Sequence, residues 1–290
     1  LCPDALLVNF TNPESRICLA LSRYTGVRFV GLCHGIGMGY DSISRITGLP
    51  ADDLQGIAAG LNHFVWFLDI RRKSTKEDVY PLLRAQDAGY DPSYHPLTRM
   101  MFRRFGLYPH PSDDHIGEYL PFAWQFCGLH GYDFAQADAN RQKSWQHILG
   151  VVRGDEAVPP LQRSGEFAFP IIVSMVDNRR DVIEAVNARN DGLIANLPGW
   201  AVVEVPAVAG ADGVKGVQVG PLPAGIAALL NTQAHVQDVV VEAAVHGSRT
   251  LALQALLADP VVHSAQAAEK TLDELLHVHA PYLPQFKDGC

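Results

Sequence analysis

Cys33 and His63 stand thirty residues apart, and a thiolate with an imidazole makes a fitting mount for a borderline-soft divalent cation. Spacing alone leaves the alternatives open. A cysteine at a strand end also serves as a small buried hydrophobe, and a histidine beside Asn62 can be a satisfied structural group. His34, next to Cys33, could donate a proton, orient a metal ligand, or be structural. Asp113, Asp114, His115 and Glu118 form the densest cluster of titratable groups in the chain. Clusters of this kind can move pKa values toward those that proton transfer needs; a solvated acidic loop is the plainer alternative. Ser164-Gly165-Glu166 reads as a turn and an N-cap, and Asn187, Asn190 and Asn196 read as loop residues.

These groups need elements to hold them. Ala5 to Asn9 is a short apolar run stopped by Thr11-Asn12-Pro13, the pattern of a buried parallel strand running into a loop. Pro13 suits the first turn of a helix, and Ile17, Ala20, Leu21 and Tyr24 recur on one helical face until Gly26. Val27 to Leu32 is then a second strand, which delivers Cys33 and His34 at its C-terminal end, where α/β sheets collect ligand chemistry. A helix is predicted over 35–48. One strand is predicted from Leu54 to Asn62, carrying His63 and running on through Phe64, Trp66 and Leu68. Residues 71–135, rich in Pro, Tyr, His and Asp, read as a loop-dominated rim, and 150–163 as a surface crossing. Val202 to Val208 and Val214 to Val219 bracket a hairpin turn. Beyond Pro223 an amphipathic period marks long helices, interrupted at Gly247 and Pro260.

The 290 residues can bury a core without a disulfide or metal staple. The composition is 48% hydrophobic and 19% charged, and no run approaches the roughly 18 apolar residues that would span a bilayer. With 23 Lys and Arg against 31 Asp and Glu, the net charge of −8 and the absence of a basic stripe argue against nucleic acid. The five cysteines are odd in number and never form a CxxC pair, which fits a reducing cytoplasm rather than a disulfide framework. The first residues lack the pattern of a signal peptide. They read as a strand entered midway, so a piece of a longer chain is expected.

Asn9-Phe10-Thr11-Asn12-Pro13, then Gly31-Leu32-Cys33-His34-Gly35, then Ala59-Gly60-Leu61-Asn62-His63 with Trp66 resemble, in order and spacing, the glycoside hydrolases of family 4. Ser164-Gly165-Glu166, Asn196-Leu197-Pro198, Val203-Glu204-Val205-Pro206-Ala207 and Pro221-Leu222-Pro223 extend the resemblance over most of the chain. It implies an α/β (α+β) fold, in which the last strands of a Rossmann-like parallel sheet (1–34) precede a lactate/malate-dehydrogenase-like catalytic and metal-binding domain (35–290). It also implies NAD and a divalent ion, usually Mn2+. This family departs from the two-carboxylate glycosidase scheme. NAD removes hydride from C3 of the sugar, the ketone acidifies the C2 proton for a protein base, the aglycone leaves C1 by elimination, and water and hydride are then returned.

Carried over by position, Cys33 and His63 match the metal ligands. Asn12 matches an asparagine that touches substrate near the nicotinamide, and Asn62 a contact to a sugar hydroxyl. Asp113 lies where an aspartate base is proposed, with Asp114 as substitute because the alignment there shifts by one residue. His34, where phospho-sugar members carry Asp or Asn, implies help to the leaving group and a non-phosphorylated α-hexoside or α-hexuronide. The glycine-rich turn that would cradle the pyrophosphate is not among these residues, since Gly35, Gly37 and Gly39 sit in the wrong unit, so weak NAD binding and low activity are expected of the chain alone. Two rivals remain: a 2-hydroxy acid dehydrogenase, which shares the Asn12-Pro13 loop but needs no metal, and an inactive oligomerising fragment, whose helices after Pro223 would join a homo-dimer or homo-tetramer.

Overall fold

A computed structural model describes residues 2, 4–127, 134–161 and 166–286 of the chain. Ser164 and Gly165 lie outside the described residues, as does Cys290. The N-terminal unit is the anticipated one: β1 (Leu6–Asn9), α1 (Glu14–Tyr24), β2 (Arg28–Gly31) and α2 (Gly35–Thr47). β1 and β2 are parallel, with Val8 opposite Val30 and Asn9 opposite Gly31. Gly48, in the left-handed region at φ 73°, ends α2 by donating its N–H to the Ser44 carbonyl.

Residues 54–72 depart from the single predicted strand. They are two antiparallel strands, β3 (Leu54–Leu61) and β4 (Phe64–Arg72), joined at Asn62-His63 with Leu61 opposite Phe64. Next to the turn both arms are buried on both faces. Phe64 and Trp66 enter one core with Leu97, Met101, Ile226 and Leu230, while Val65, Phe67 and Ile70 enter another with Ile36, Tyr40, Ile43 and Leu83. Asn-His is not the Asn-Gly that usually advertises such a reversal, so the turn was invisible in the pattern.

The predicted loop-dominated rim is also corrected: it holds α3 (Tyr80–Asp87), α4 (Pro96–Phe105), the two-residue β5 (Pro109–His110), α5 (Asp113–Ile116) and α6 (Trp124–Cys127). Pro81 and Pro96, which look like breakers, sit at helix starts, where a missing N–H costs nothing. Arg99 and Asp87, polar in sequence, are 2% exposed and paired inside the fold. Part of the predicted surface crossing is helical, because α7 (Phe134–Arg153) precedes it. α8 (Ala168–Asp177) had no prediction, and Asn187, read as a loop residue, instead lies buried within the strand β6 (Asp181–Arg189).

The predicted hairpin is present as β7 (Val202–Gly210) and β8 (Gly213–Gly216), and the helical end as α9 (Ala224–His246), α10 (Arg249–Ala258) and α11 (Ala265–His279). Ser248 and Ser264 cap the last two by accepting N–H groups from Leu251 and Ala267. The strands among the described residues share one sheet in the order β1-β2-β6-β7-β3-β4-β5, with β8 on β7. Among the described residues no helix is long and apolar enough to cross a membrane.

Candidate active site

Two strand ends and a turn contribute to one cleft. β1 runs into Asn12, β2 into Cys33 and His34, and the β3–β4 turn carries Asn62 and His63. All five line a cleft of about 260 Å³, together with Phe10, Glu14, Met38, Pro111, His115 and Glu166. His63 is held at φ 65°, a left-handed conformation a non-glycine residue adopts only under constraint, and its side chain is 16% exposed.

The cleft is asymmetric in its surroundings. Burial, reinforced by the carboxyl of Glu204, pushes the Cys33 thiol up to about 11, against hydrogen bonding from the Gly35 N–H and the Asn62 side chain. A thiol so placed ionises when a cation arrives to offset the charge. The His63 and His115 rings meet edge to face with centroids 4.5 Å apart, and His63 Nδ1 stands 3.8 Å from Glu118 Oε2. His34 is open to solvent, with Nδ1 3.7 Å from Glu166 Oε1.

The two aspartates stand elsewhere. Asp113 and Asp114 line a neighbouring cleft of about 820 Å³, which shares only Met38 and Pro111 with the first. Asp113 accepts the N–H groups of Leu97 and Thr98 at 2.9 and 2.7 Å and the Thr98 hydroxyl at 2.6 Å, which satisfies the start of α4, where His95 provides no cap. Asp114 is bonded to His115 Nδ1 at 2.9 Å and accepts the Ser112 hydroxyl. That pairing with His115 holds its carboxyl well below the usual range and raises the His115 imidazole.

Glu14 and Glu204 had no assigned role. Glu14, 2% exposed, lies under the cleft with its carboxyl pushed up to about 8 by burial, and accepts the Cys18 thiol proton at 2.9 Å. Gly31 leaves room for it, since a Cβ there would fall 1.5 Å from Glu14 Oε1 and 2.9 Å from Asn187 Cβ, and the Glu14 carboxyl would have to move. In sequence Glu14 reads as an ordinary first-turn acid favoured by the helix dipole. Only its burial sets it apart.

The donor chemistry suits a divalent cation: one sulfur and one ring nitrogen in a common cleft. Among the described residues no three His, Cys, Asp or Glu side chains gather into a fuller cage, so Cys33 and His63 alone would leave positions for water and substrate oxygens, as catalytic rather than structural sites do.

The fold is a mixed α/β sheet whose strand ends and turn bring Asn12, Cys33, His34, Asn62 and His63 to one cleft. Residues 58–262 match the family 4 glycosyl hydrolase C-terminal domain and residues 1–48 match family 4 glycosyl hydrolase itself; the chain belongs to glycosyl hydrolase family 4. It is 30% identical over 329 residues to an alpha-glucosidase of Erwinia rhapontici, covering 99% of this chain and 70% of that protein. To an alpha-galactosidase of Bacillus subtilis it is 29% identical, covering 99% and 68%. The chain thus spans about two thirds of these relatives. Its fold is shared with a 6-phospho-alpha-glucosidase from gut microorganisms in complex with NAD and Mn2+ (TM-score 0.81, 24% identity, 98% of this chain and 69% of that one). The 6-phospho-beta glucosidase of Thermotoga maritima with manganese, NAD+ and glucose-6-phosphate shares it too (TM-score 0.75, 22% identity, 97% and 66%).

Proposed function

We propose that this chain is the catalytic, cation-binding part of a glycosidase that cleaves a non-phosphorylated α-hexoside or α-hexuronide by oxidation at C3, proton abstraction at C2 and elimination of the C1 substituent. The observation that carries the reading is the shared cleft of Asn12, Cys33, Asn62 and His63. Residues 1–34 are read as the end of a dinucleotide-binding domain and 35–290 as the catalytic domain. When bound, NAD supplies the hydride acceptor for C3 and Mn2+ supplies Lewis acidity at the C2 and C3 oxygens.

The remaining work falls to the protein. Cys33 and His63 hold the cation, Asn12 orients the sugar beside the nicotinamide, and Asn62 hydrogen-bonds a sugar hydroxyl. His34, exposed at the mouth, delivers a proton to the departing oxygen. Of the two candidate bases, Asp114 is the better supported, because it reaches the sugar cleft through its bond to His115, whereas the carboxyl of Asp113 is engaged with α4. Among the described residues lining the cleft there is no Lys or Arg. Phosphate recognition commonly uses such groups, which supports a non-phosphorylated α-hexoside or α-hexuronide.

The test is isotopic. A C2-deuterated nitrophenyl α-hexoside turned over by the complete enzyme in ordinary water is expected to lose its label. Product that keeps all its deuterium rules the elimination out.

A further inference from the structure

One row of residues crosses the sheet directly beneath the cleft. Gly31 of β2 is opposite Asn187 of β6, Asn187 is opposite Glu204 of β7, and Glu204 is opposite Gly60 of β3. The row begins two residues before Cys33 and ends three residues before His63, so it spans the two arms that present the proposed cation ligands. Glu204 is the centre of it, 2% exposed, and its Oε2 accepts from Asn62 Nδ2 at 3.1 Å and from Asn187 Nδ2 at 3.2 Å. The Asn187 bond reaches the strand beside β2. The Asn62 bond reaches the turn that carries His63.

A carboxyl in the middle strand is an expensive choice. Removing an ionised carboxylate from water is costly, and burial pushes the pKa of Glu204 up against the two amide donors and the nearby His63. The positions around it on β7 are apolar and buried: Val202, Val203, Val205 and Ala207. The carboxyl is the acceptor that the buried amides of Asn62 and Asn187 share, and an apolar side chain at 204 would leave both donors without it.

Resting on the cation site proposed above, we infer that Glu204 is a positioning residue: by accepting from Asn62 and Asn187 on one oxygen it sets the distance between the Cys33 and His63 arms and fixes the Asn62 amide between them. Residues that orient metal ligands in this manner are typically worth about 10–100-fold in affinity.

The experiment reads cation binding in the 290-residue chain, by electron paramagnetic resonance of free Mn2+, with the thiolate-to-cobalt absorption of the Co2+-loaded chain as a report on the Cys33 bond. Glu204→Gln keeps an acceptor of the same shape and is expected to stay within about twofold of the parent, while Glu204→Leu loses about tenfold or more in Mn2+ affinity and weakens the cobalt band. Parental binding and an unchanged band in a folded Glu204→Leu chain overturn the inference, and so does equal damage in both variants. If Glu204→Leu does not fold, Asn187→Ala, which removes one of the two bonds, must lower affinity by a smaller factor; parental affinity there overturns the inference as well. A parent chain that binds no Mn2+ instead removes the cation site itself, a different failure from an intact site indifferent to Glu204.

Discussion

The imidazoles of His63 and His115 touch edge to face, with centroids 4.5 Å apart. That contact joins the β3–β4 turn to α5, and therefore joins a proposed cation ligand to the Asp114–His115 pair, although the two stretches are separated by about fifty residues of sequence. His63 and His115 thus line one wall of the cleft, which places the proposed cation ligand beside the proposed proton-transfer pair.

Cation binding is expected to depend on the two ligands and not on the aspartate next door. Titrated with Mn2+ in a calorimeter, Cys33→Ser and His63→Ala chains lose the binding signal and Asp113→Ala keeps it. Unchanged heats in both ligand variants dismiss the site.

Asp113→Ala is expected to reveal a structural carboxylate. It strips two backbone N–H partners from the start of α4, and loss of such a cap costs about 1 kcal/mol. Urea unfolding measures this, and a chain as stable as the parent contradicts it.

Arg99→Met breaks a pair in which both side chains are almost wholly buried, leaving Asp87 with only the half-exposed Arg103. Removing one partner of a buried pair costs about 3–5 kcal/mol. A change in the unfolding midpoint equivalent to less than about 1 kcal/mol, the scale of an exposed ion pair, argues that α3 and α4 are held by other means.

Two buried groups tilt stability with pH in opposite directions. Glu14 has its pKa raised from 4.5 to about 8, so between those values the folded state holds the proton more tightly than the unfolded one and stability falls as pH rises. His110, with its pKa lowered from 6.5 to about 3 by complete burial, resists protonation in the fold. Stability therefore falls as pH drops below about 6.5. Urea unfolding of Glu14→Gln at about pH 5 and about pH 8 is expected to show the alkaline loss removed; an unaltered slope shows that Glu14 titrates normally.

His34→Ala is expected to slow release of alkoxide leaving groups more than of nitrophenolate, which needs no proton. Comparing kcat of the complete enzyme on an alkyl and a nitrophenyl α-hexoside measures the difference. Equal slowing on both removes His34 from the leaving-group role.

Much of the molecule was legible in local pattern. The β1-α1-β2-α2 unit, the β7–β8 hairpin and the terminal helices follow from periodicity and from the stops at Thr11-Asn12-Pro13, Gly26, Gly48 and Gly247. Cys33, His63, Asn12, Asn62 and His34 were identifiable by type, spacing and family resemblance, and they line one cleft. The chain's own residues thus specify which elements form and which side chains stand at their ends, because capping, turn chemistry and amphipathic period are properties of neighbours in sequence. Tertiary structure alone decided the rest. The reversal at Asn62-His63 is imposed by pairing Leu61 with Phe64, the helical state of α3 and α4 by burying Arg99 against Asp87, and the engagement of Asp113 by a helix start sixteen residues upstream. The carboxyls of Glu14 and Glu204 are ordinary acids in the sequence. They become unusual only where strands far apart in the chain close over them, since burial, and with it the cost of charge, belongs to the assembled sheet and not to any stretch of it.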